Sequence, residues 1–422
     1  MTTFPTTVDV WFGLSATPST VFTLDDAVRG VLDTTSYTLS GEVPTDVAGY
    51  TTNVSFTRGK TSPLFGSIDP ASGSVTLNNE TRIFDPLYTA GPYYGDFKPG
   101  KRVTVTTNGI TIFDGRTREW TNSYETSGRS MSQLRLEDLL GLLGRQEFDA
   151  WTTTAGELSG TRVSSVLDRG EVLASASRAI GAGASTLQAD NVSWGSNVLN
   201  YLQLVTDTEQ GLFYCSREGV LTFVGRKDIF NSGAVAATFS DAGVLPADLP
   251  FHALEISQTG ETYSTRVSVD GVGYTKATVT ATNAADDGVR STSLSGLLMD
   301  SQVQVDDLAA FLANIYSRPD PSIDSVTINL NSEQYGAFVL GVQLASLVLL
   351  VDIGSIILVE FTPNGIGSAI SQRLIVDGIS HDIGPDSHYV TFYTSKADGR
   401  AMFQLDSAEY GILDDTVSVL GF

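Results

Sequence analysis

The chain has 422 residues, with 48 Asp+Glu against 25 Lys+Arg and a formal net charge of −23. That acid excess excludes a protein that holds nucleic acid, which needs a basic face to release counterions, while 41% apolar and 9% aromatic residues exclude a disordered acidic chain. A lone cysteine, Cys215, excludes an intrachain disulfide framework and a Cys-rich metal site.

Forty-one glycines and 14 prolines, with abundant Thr, Ser and Val, predict a mainly β (α+β) fold. The segment Met1 to Val10 lacks the basic region and apolar run of a signal peptide. Alternating strands are predicted at Val8–Phe12 and Ser74–Leu77. A hairpin follows, Val103 and Val105 sharing one face before Asn108-Gly109 and Ile110 and Ile112 after it. Asn-Gly suits a type I′ turn, because both central residues can take positive φ. Ser132 is predicted to cap a first helix through Leu134, Leu136, Leu139, Leu140, Leu142 and Leu143, ended by Gly144. A second helix carries Val198, Leu202 and Val205, with Gly211 beyond its end. Strands follow at Val220–Val224 and Thr265–Val269. A third helix begins near Asp306 and Asp307, buries Leu308, Phe311, Leu312 and Ile315, and stops before Pro319 and Pro321. Beyond a strand at Val326–Leu330, the apolar run Val339 to Val359 has the length of a bilayer span. Gln343 and Asp352 interrupt it, and a mid-bilayer Asp costs about 2.5–3.5 kcal/mol. It is therefore read as an apolar segment, a turn at Asp352-Ile-Gly354 and a buried strand Ser355–Phe361. A last strand is predicted at Tyr389–Tyr393.

The expected organisation is a β domain at 1–128, a mixed α/β domain at 129–230, a connector at 231–250, and a second β domain at 251–422 with one inserted helix. No short internal repeat is visible.

Chemistry-bearing patterns are sparse. His381-Asp-Ile-Gly-Pro-Asp-Ser-His388 could place His-Asp-His around a turn, and is read as a polar loop between strands. Gly181-Ala-Gly183 lacks the context and the downstream lysine of a phosphate loop. The pairs Asp25-Asp26, Asp286-Asp287, Asp306-Asp307 and Asp414-Asp415 follow no calcium-loop spacing. Cys215 is expected to be a buried strand residue. The expectation is a non-enzymatic protein with no catalytic residue, cofactor or metal.

One ensemble of motifs is distinctive. It comprises Asn53-Val-Ser-Phe-Thr-Arg-Gly59, Gly73-Ser-Val-Thr-Leu-Asn78-Asn79, Phe84-Asp-Pro86, Gly91-Pro-Tyr-Tyr-Gly95, Pro99-Gly100, Ile112-Phe-Asp-Gly115 and Trp120. In this order it resembles the N-terminal region of minor tail proteins, the tail hub or tail-associated proteins of long non-contractile-tailed bacteriophages. Gly160-Thr-Arg-Val163, Gly183 to Gln188, Thr208-Glu-Gln-Gly211 and Glu218-Gly219 are similar to the family's middle region. Asp352-Ile-Gly354, Val376-Asp-Gly-Ile-Ser-His381 and Leu405 to Asp414 are similar to its closing segment.

The resemblance implies two β-barrel-like tube domains flanking the mixed domain. It also implies similarity to the trimeric baseplate hub of contractile-tail phages, with six barrels from three subunits facing a hexameric tube. The implied role is a homotrimeric tail-tip hub of the virion that joins distal tail protein and tape-measure protein to receptor-binding or fibre proteins. DNA would pass through transiently, at the host envelope during infection. No wall-degrading domain is expected after the hub. Tyr88, Tyr93 and Tyr94 are the candidate subunit-interface residues, because aromatics are enriched at interfaces. Two alternatives remain: a carbohydrate-binding or cell-wall-degrading β protein stacking sugars on Trp11, Trp120, Trp151 or Trp194, and the hexameric distal tail protein.

Overall fold

In the computed structural model, the described residues are 4–12, 43–61, 67–173, 176–231, 234–242, 248–258, 263–317, 321–332, 338–397, 401–402 and 418–419. The pairs Asp25-Asp26 and Asp414-Asp415, Pro319, and the stretch Leu405 to Asp414 lie outside them.

The N-terminal strands are β1 (Thr6–Phe12), β2 (Val43–Asp46), β3 (Thr51–Gly59), β4 (Ser72–Asn78), β5 (Arg102–Thr107), β6 (Ile110–Tyr124) and β7 (Ser130–Glu137). Apolar residues alternate along them, so one face collects Val8, Val10, Val54, Phe56, Val75, Leu77, Val103, Val105 and Leu134, all buried. The hairpin joining β5 and β6 turns at Asn108 (φ 51°) and Gly109 (φ 76°), the left-handed pair that a type I′ turn requires.

The helix expected from Ser132 is instead mostly β7. In Ser-Gln-Leu-Arg-Leu-Glu the apolar residues recur every second position, and β7 is clamped between β4 and β6. Only α1 (Leu139–Leu143) is helical, capped by Asp138, whose carboxylate accepts from the Leu140 and Gly141 amides.

The mixed region follows. It holds β8 (Trp151–Thr152), β9 (Glu157–Leu158), α2 (Ser159–Leu167), β10 (Arg178–Ile180), β11 (Thr186–Leu187), β12 (Asn191–Val192), α3 (Val198–Glu209), β13 (Leu212–Cys215), β14 (Leu221–Val224) and α4 (Arg226–Asn231). The second predicted helix is α3, capped by the Asn197 side chain and ended by Gln210 in the left-handed region at φ 57°.

The stretch 231–250, expected to be a connector, carries β15 (Val235–Ser240) and β16 (Asp248–Leu249). Then come β17 (Ala253–Ser257), β18 (Arg266–Gly271), β19 (Ala277–Thr280), α5 (Ala284–Asp287), β20 (Ser291–Leu297) and α6 (Gln302–Tyr316). Strands β18 to β20 form a small sheet under α6, and Val267, Val269, Leu297, Leu308 and Leu312 give this insertion its own core. The third helix thus starts at a Ser301 cap, a turn ahead of Asp306. The remaining elements are β21 (Ser322–Asn329), α7 (Phe338–Leu350), β22 (Ile356–Phe361), β23 (Ile370–Gly384) and β24 (Ser387–Lys396), with a short pair β25 (Ala401–Met402) and β26 (Ser418–Val419). The long apolar run is α7, a turn and β22. No helix among the described residues is long and apolar enough to cross a membrane.

The strand order contains a repeat. The N-terminal half runs β2-β1-β5-β6-β7-β4-β3, and the C-terminal half runs β16-β15-β22-β23-β24-β21-β17. Numbered within each half, both read 2-1-5-6-7-4-3. All pairings match in direction except those of the first strand, since β1 is antiparallel to β5 and β2 while β15 is parallel to β22 and β16. In each half strands 2 and 3 lie at opposite ends of the sheet yet are adjacent in the chain, so each sheet must roll up until its ends approach. Neither closes by ladder pairing among the described residues. One antiparallel ladder between β3 and β23 joins them into a 14-stranded sheet.

Candidate functional site

The joint between the two rolled sheets gathers residues from three of the motifs singled out in the sequence. Along it, Val54 to Gly59 of β3 face Ile383 to Gly378 of β23. Two glycines meet where β23 bulges: a Cβ on Gly378 would sit 2.1 Å from the Lys60 carbonyl oxygen, and one on Gly59 would sit 2.3 Å from that of Asp377. Gly59 also has φ +82°, which favours glycine. Arg58, 3% exposed, donates from Nη1 to Asp352 Oδ1 at 2.9 Å and to the Cys215 carbonyl oxygen at 3.4 Å. Asp352 Oδ2 accepts from the Arg217 amide at 3.2 Å, and the Gly354 amide donates to the Val376 carbonyl at 2.8 Å. One buried guanidinium therefore ties β3, the mixed region and the α7–β22 turn together. Asn108 adds a second tie, donating from the tip of the β5–β6 hairpin to Ser346 Oγ of α7 at 2.9 Å.

His381 and His388 do not lie in a polar loop. They sit on the inward face of the β23–β24 hairpin, 3% and 2% exposed, with His381 Nδ1 and His388 Nε2 3.1 Å apart and the His381 ring stacked on Phe56 across the joint. One ring nitrogen must donate and the other accept, so the contact excludes two charged imidazoles. Burial holds His388 down to about 4, and burial, then His388 and Arg58, hold His381 well below its ordinary value. Asp382 points outward, and no group of three or more His, Cys, Asp or Glu among the described residues could hold a metal. A cavity of about 230 Å³ opens beside His388, lined also by Thr6, Thr52, Asn331 and Ser387.

The other chemistry-bearing residues are engaged by partners within the chain. Cys215 is buried in β13, and burial pushes its thiol up, away from thiolate formation. The Gly181-Ala-Gly183 loop has an occupant from its own chain. Fully buried Glu209 accepts from the Ala184 and Ser185 amides, Ser159 Oγ and the Arg226 amide, filling the cradle a phosphate would need. Arg162, also fully buried, is satisfied by Glu157, Tyr201 and the Thr154 and Gln188 carbonyls. Asp287 bonds Tyr263 and Asn283, and Asp306 accepts from Gln302.

The tyrosines named from the sequence separate. Tyr93 is half-buried and stacks on Phe12 at 4.2 Å, Tyr88 lies beneath the Arg82 guanidinium at the surface, and Tyr94 is 48% exposed, in the same loop as a strongly exposed Leu87. Of the tryptophans, Trp11 is covered by Arg102, Trp120 packs edge-on against Phe97, and Trp151 lies under Arg169. Trp194 is exposed. The sequence alone does not reveal the β3–β23 joint, although Arg58-Gly59 and Asp377-Gly378 belong to two of its distinctive motifs. Paired Gly positions next to strands signal a close backbone approach.

With this geometry in place, the fold can be matched to solved structures. It is shared end to end with the tail protein from Neisseria meningitidis MC58, at a TM-score of 0.60 and 11% identity over 94% of this chain and 98% of that one. The 43 kDa tail protein of prophage MuSo2 from Shewanella oneidensis matches at a TM-score of 0.55 and 11% identity, covering 94% and 97%. No family model and no curated protein sequence matches the chain. The fold is that of tail proteins.

Proposed function

We propose that this chain is a structural, non-enzymatic virion protein: a homotrimeric hub at the tail tip. The observation that carries the reading is the duplicated 2-1-5-6-7-4-3 sheet, in a fold shared along nearly its whole length with two tail proteins. Three copies of a two-repeat chain present six similar rolled sheets, which matches a threefold hub to a sixfold tube. In this role the chain joins distal tail protein and tape-measure protein above to receptor-binding or fibre proteins below. The net charge of −23 per copy suits a conduit, since acidic walls repel the DNA backbone and do not retain it.

Mass photometry of the purified chain, alone and mixed with tail-tube and distal tail proteins, tests this reading. A trimer that joins the tube end is expected. A chain that stays monomeric with those partners, or six copies per ring, would overturn it. Release of cell-wall fragments by the pure chain would favour the carbohydrate-directed alternative.

A further inference from the structure

The repeat makes the two halves comparable strand by strand, and the comparison exposes two bare edges. Strand β23 is 15 residues long. One of its edges pairs with β24 from Leu374 to Gly384. The opposite edge is therefore shared end to end by β22, on Ile370–Ile375, and β3, on Gly378–Ile383, because both overlap the β24 range. Its counterpart β6 is also 15 residues long. There β7 takes one edge from Arg116 to Tyr124, and β5 takes the other only from Ile110 to Arg116, with two further backbone hydrogen bonds at Thr117, to the Lys101 carbonyl and from the Gly100 amide. Both strands bulge at the middle, β23 between Val376 and Gly378 and β6 between Thr117 and Glu119.

The place on β6 equivalent to the β3 dock on β23 is thus Arg118 to Ser123. Among the described residues it has no ladder partner on that edge. The counterpart of β3 is β17, which pairs with β21 and, among the described residues, with nothing on its other edge. Ile256 of β17 is 46% exposed, and Tyr124 at the end of β6 is 53% exposed. Bare edges flanked by exposed apolar side chains are a template for adding another strand.

We propose that β17 of one copy pairs antiparallel with the Arg118–Ser123 edge of β6 in the next copy, repeating between chains the β3–β23 joint that exists within each chain. The occupant is a second copy because the dock on β23 is already filled by the first repeat of the same chain, and the two bare edges are the two halves of an equivalent joint. The direction also agrees. In each half, three antiparallel steps set strand 3 opposite in direction to strand 6, and β3 meets β23 antiparallel, so an equivalent joint of β17 on β6 is antiparallel too. This inference rests on the trimeric hub reading and names the surface that closes the ring.

Cysteine pairing in the full-length chain tests it. Ile256→Cys is combined in turn with Glu119→Cys, Thr121→Cys or Ser123→Cys, and as a control with Val342→Cys on the exposed face of α7. Mild oxidation should give covalent dimers and trimers in at least one β6 register and none with the control. In parallel, Ile256→Pro, with its fold checked by circular dichroism, should shift the mass from three copies to one. A trimer that cross-links in no β6 register and survives Ile256→Pro overturns this joint and leaves the hub reading standing. A chain that is monomeric even with its tail partners overturns both.

Discussion

The two rolled sheets share a strand order but not their surroundings. In the first, strand 3 is covered by β23, and the second half of strand 6 has no ladder partner among the described residues on the edge away from β7; in the second, strand 6 is covered by β3, and strand 3 has none among them on the edge away from β21. The first carries the Tyr- and Pro-rich loop 79–101 between strands 4 and 5 where the second carries α7, and the second carries the β18–α6 insertion between strands 3 and 4. Even the direction of strand 1 is reversed. Backbone pairing accepts either direction, so a strand entering from the mixed region can fill the place that β1 fills from the N-terminal side. What persists in both copies is the rolled sheet and its strand order. What varies is the decoration.

The comparison breaks most visibly at the joint. Gly378→Val places a side chain against the Lys60 carbonyl and should destabilise the chain by more than about 3 kcal/mol, since overdetermined backbone contacts give the largest single-residue effects. Arg118→Ala, at the equivalent place on exposed β6, should stay within about 0.5 kcal/mol. Urea midpoints of the two variants measure the contrast. Phe56→Ala, which empties a buried site against Phe113 and His381, should cost about 3–5 kcal/mol by the same measurement.

A third prediction concerns acid. The histidines of the joint are held neutral when folded and ionise more readily when unfolded, so the unfolded chain binds more protons as pH falls from about 6.5 toward 4. Stability present above that window is lost within it, by roughly 3 kcal/mol for His388 alone. Asp138 works in the opposite sense. Burial raises it to about 6, so its protonation in the folded state offsets part of the loss. His388→Leu should flatten the acid side of a plot of Tm against pH, and an unchanged slope would show that the pair does not govern it. Asp352→Asn leaves Arg58 without its carboxylate and should cost about 1–3 kcal/mol, less than full burial would imply because Asp352 is 20% exposed. The smallest effect is expected at Tyr94→Ser. It should leave the urea midpoint within about 0.5 kcal/mol, and any change in trimer mass would assign the loop 79–101 to an interface.

Much of the fold was legible where periodicity was clean. Asn108-Gly109 specified its turn, α3 and α6 followed from apolar spacing and breakers, and so did the turn and β22 of the long apolar run, whose first part, read only as an apolar segment, is the helix α7. The stretch from Ser132 failed because Leu134 and Leu136 belong to a period-2 strand while Leu139 to Leu143 belong to a helix, and a dense run of leucines hides the change of period. The histidines misled because a polar residue near Gly-Pro reads as loop, whereas β24 resumes at Ser387 and turns His388 inward. The repeat left no trace in the sequence, since a core asks only for alternation and volume, and two halves can meet that demand with unrelated residues. The joint is half visible: Arg58-Gly59 and Val376 to His381 are distinctive motifs in the sequence, but their meeting is a fact of long-range pairing.

The central claim, a threefold hub built from duplicated sheets, is tested most directly by imaging intact tail tips at subnanometre resolution. Three copies of this chain forming a ring of six similar rolled sheets at the end of the tube is the predicted result. Six copies at that position, or a lone copy outside the tube axis, would contradict it.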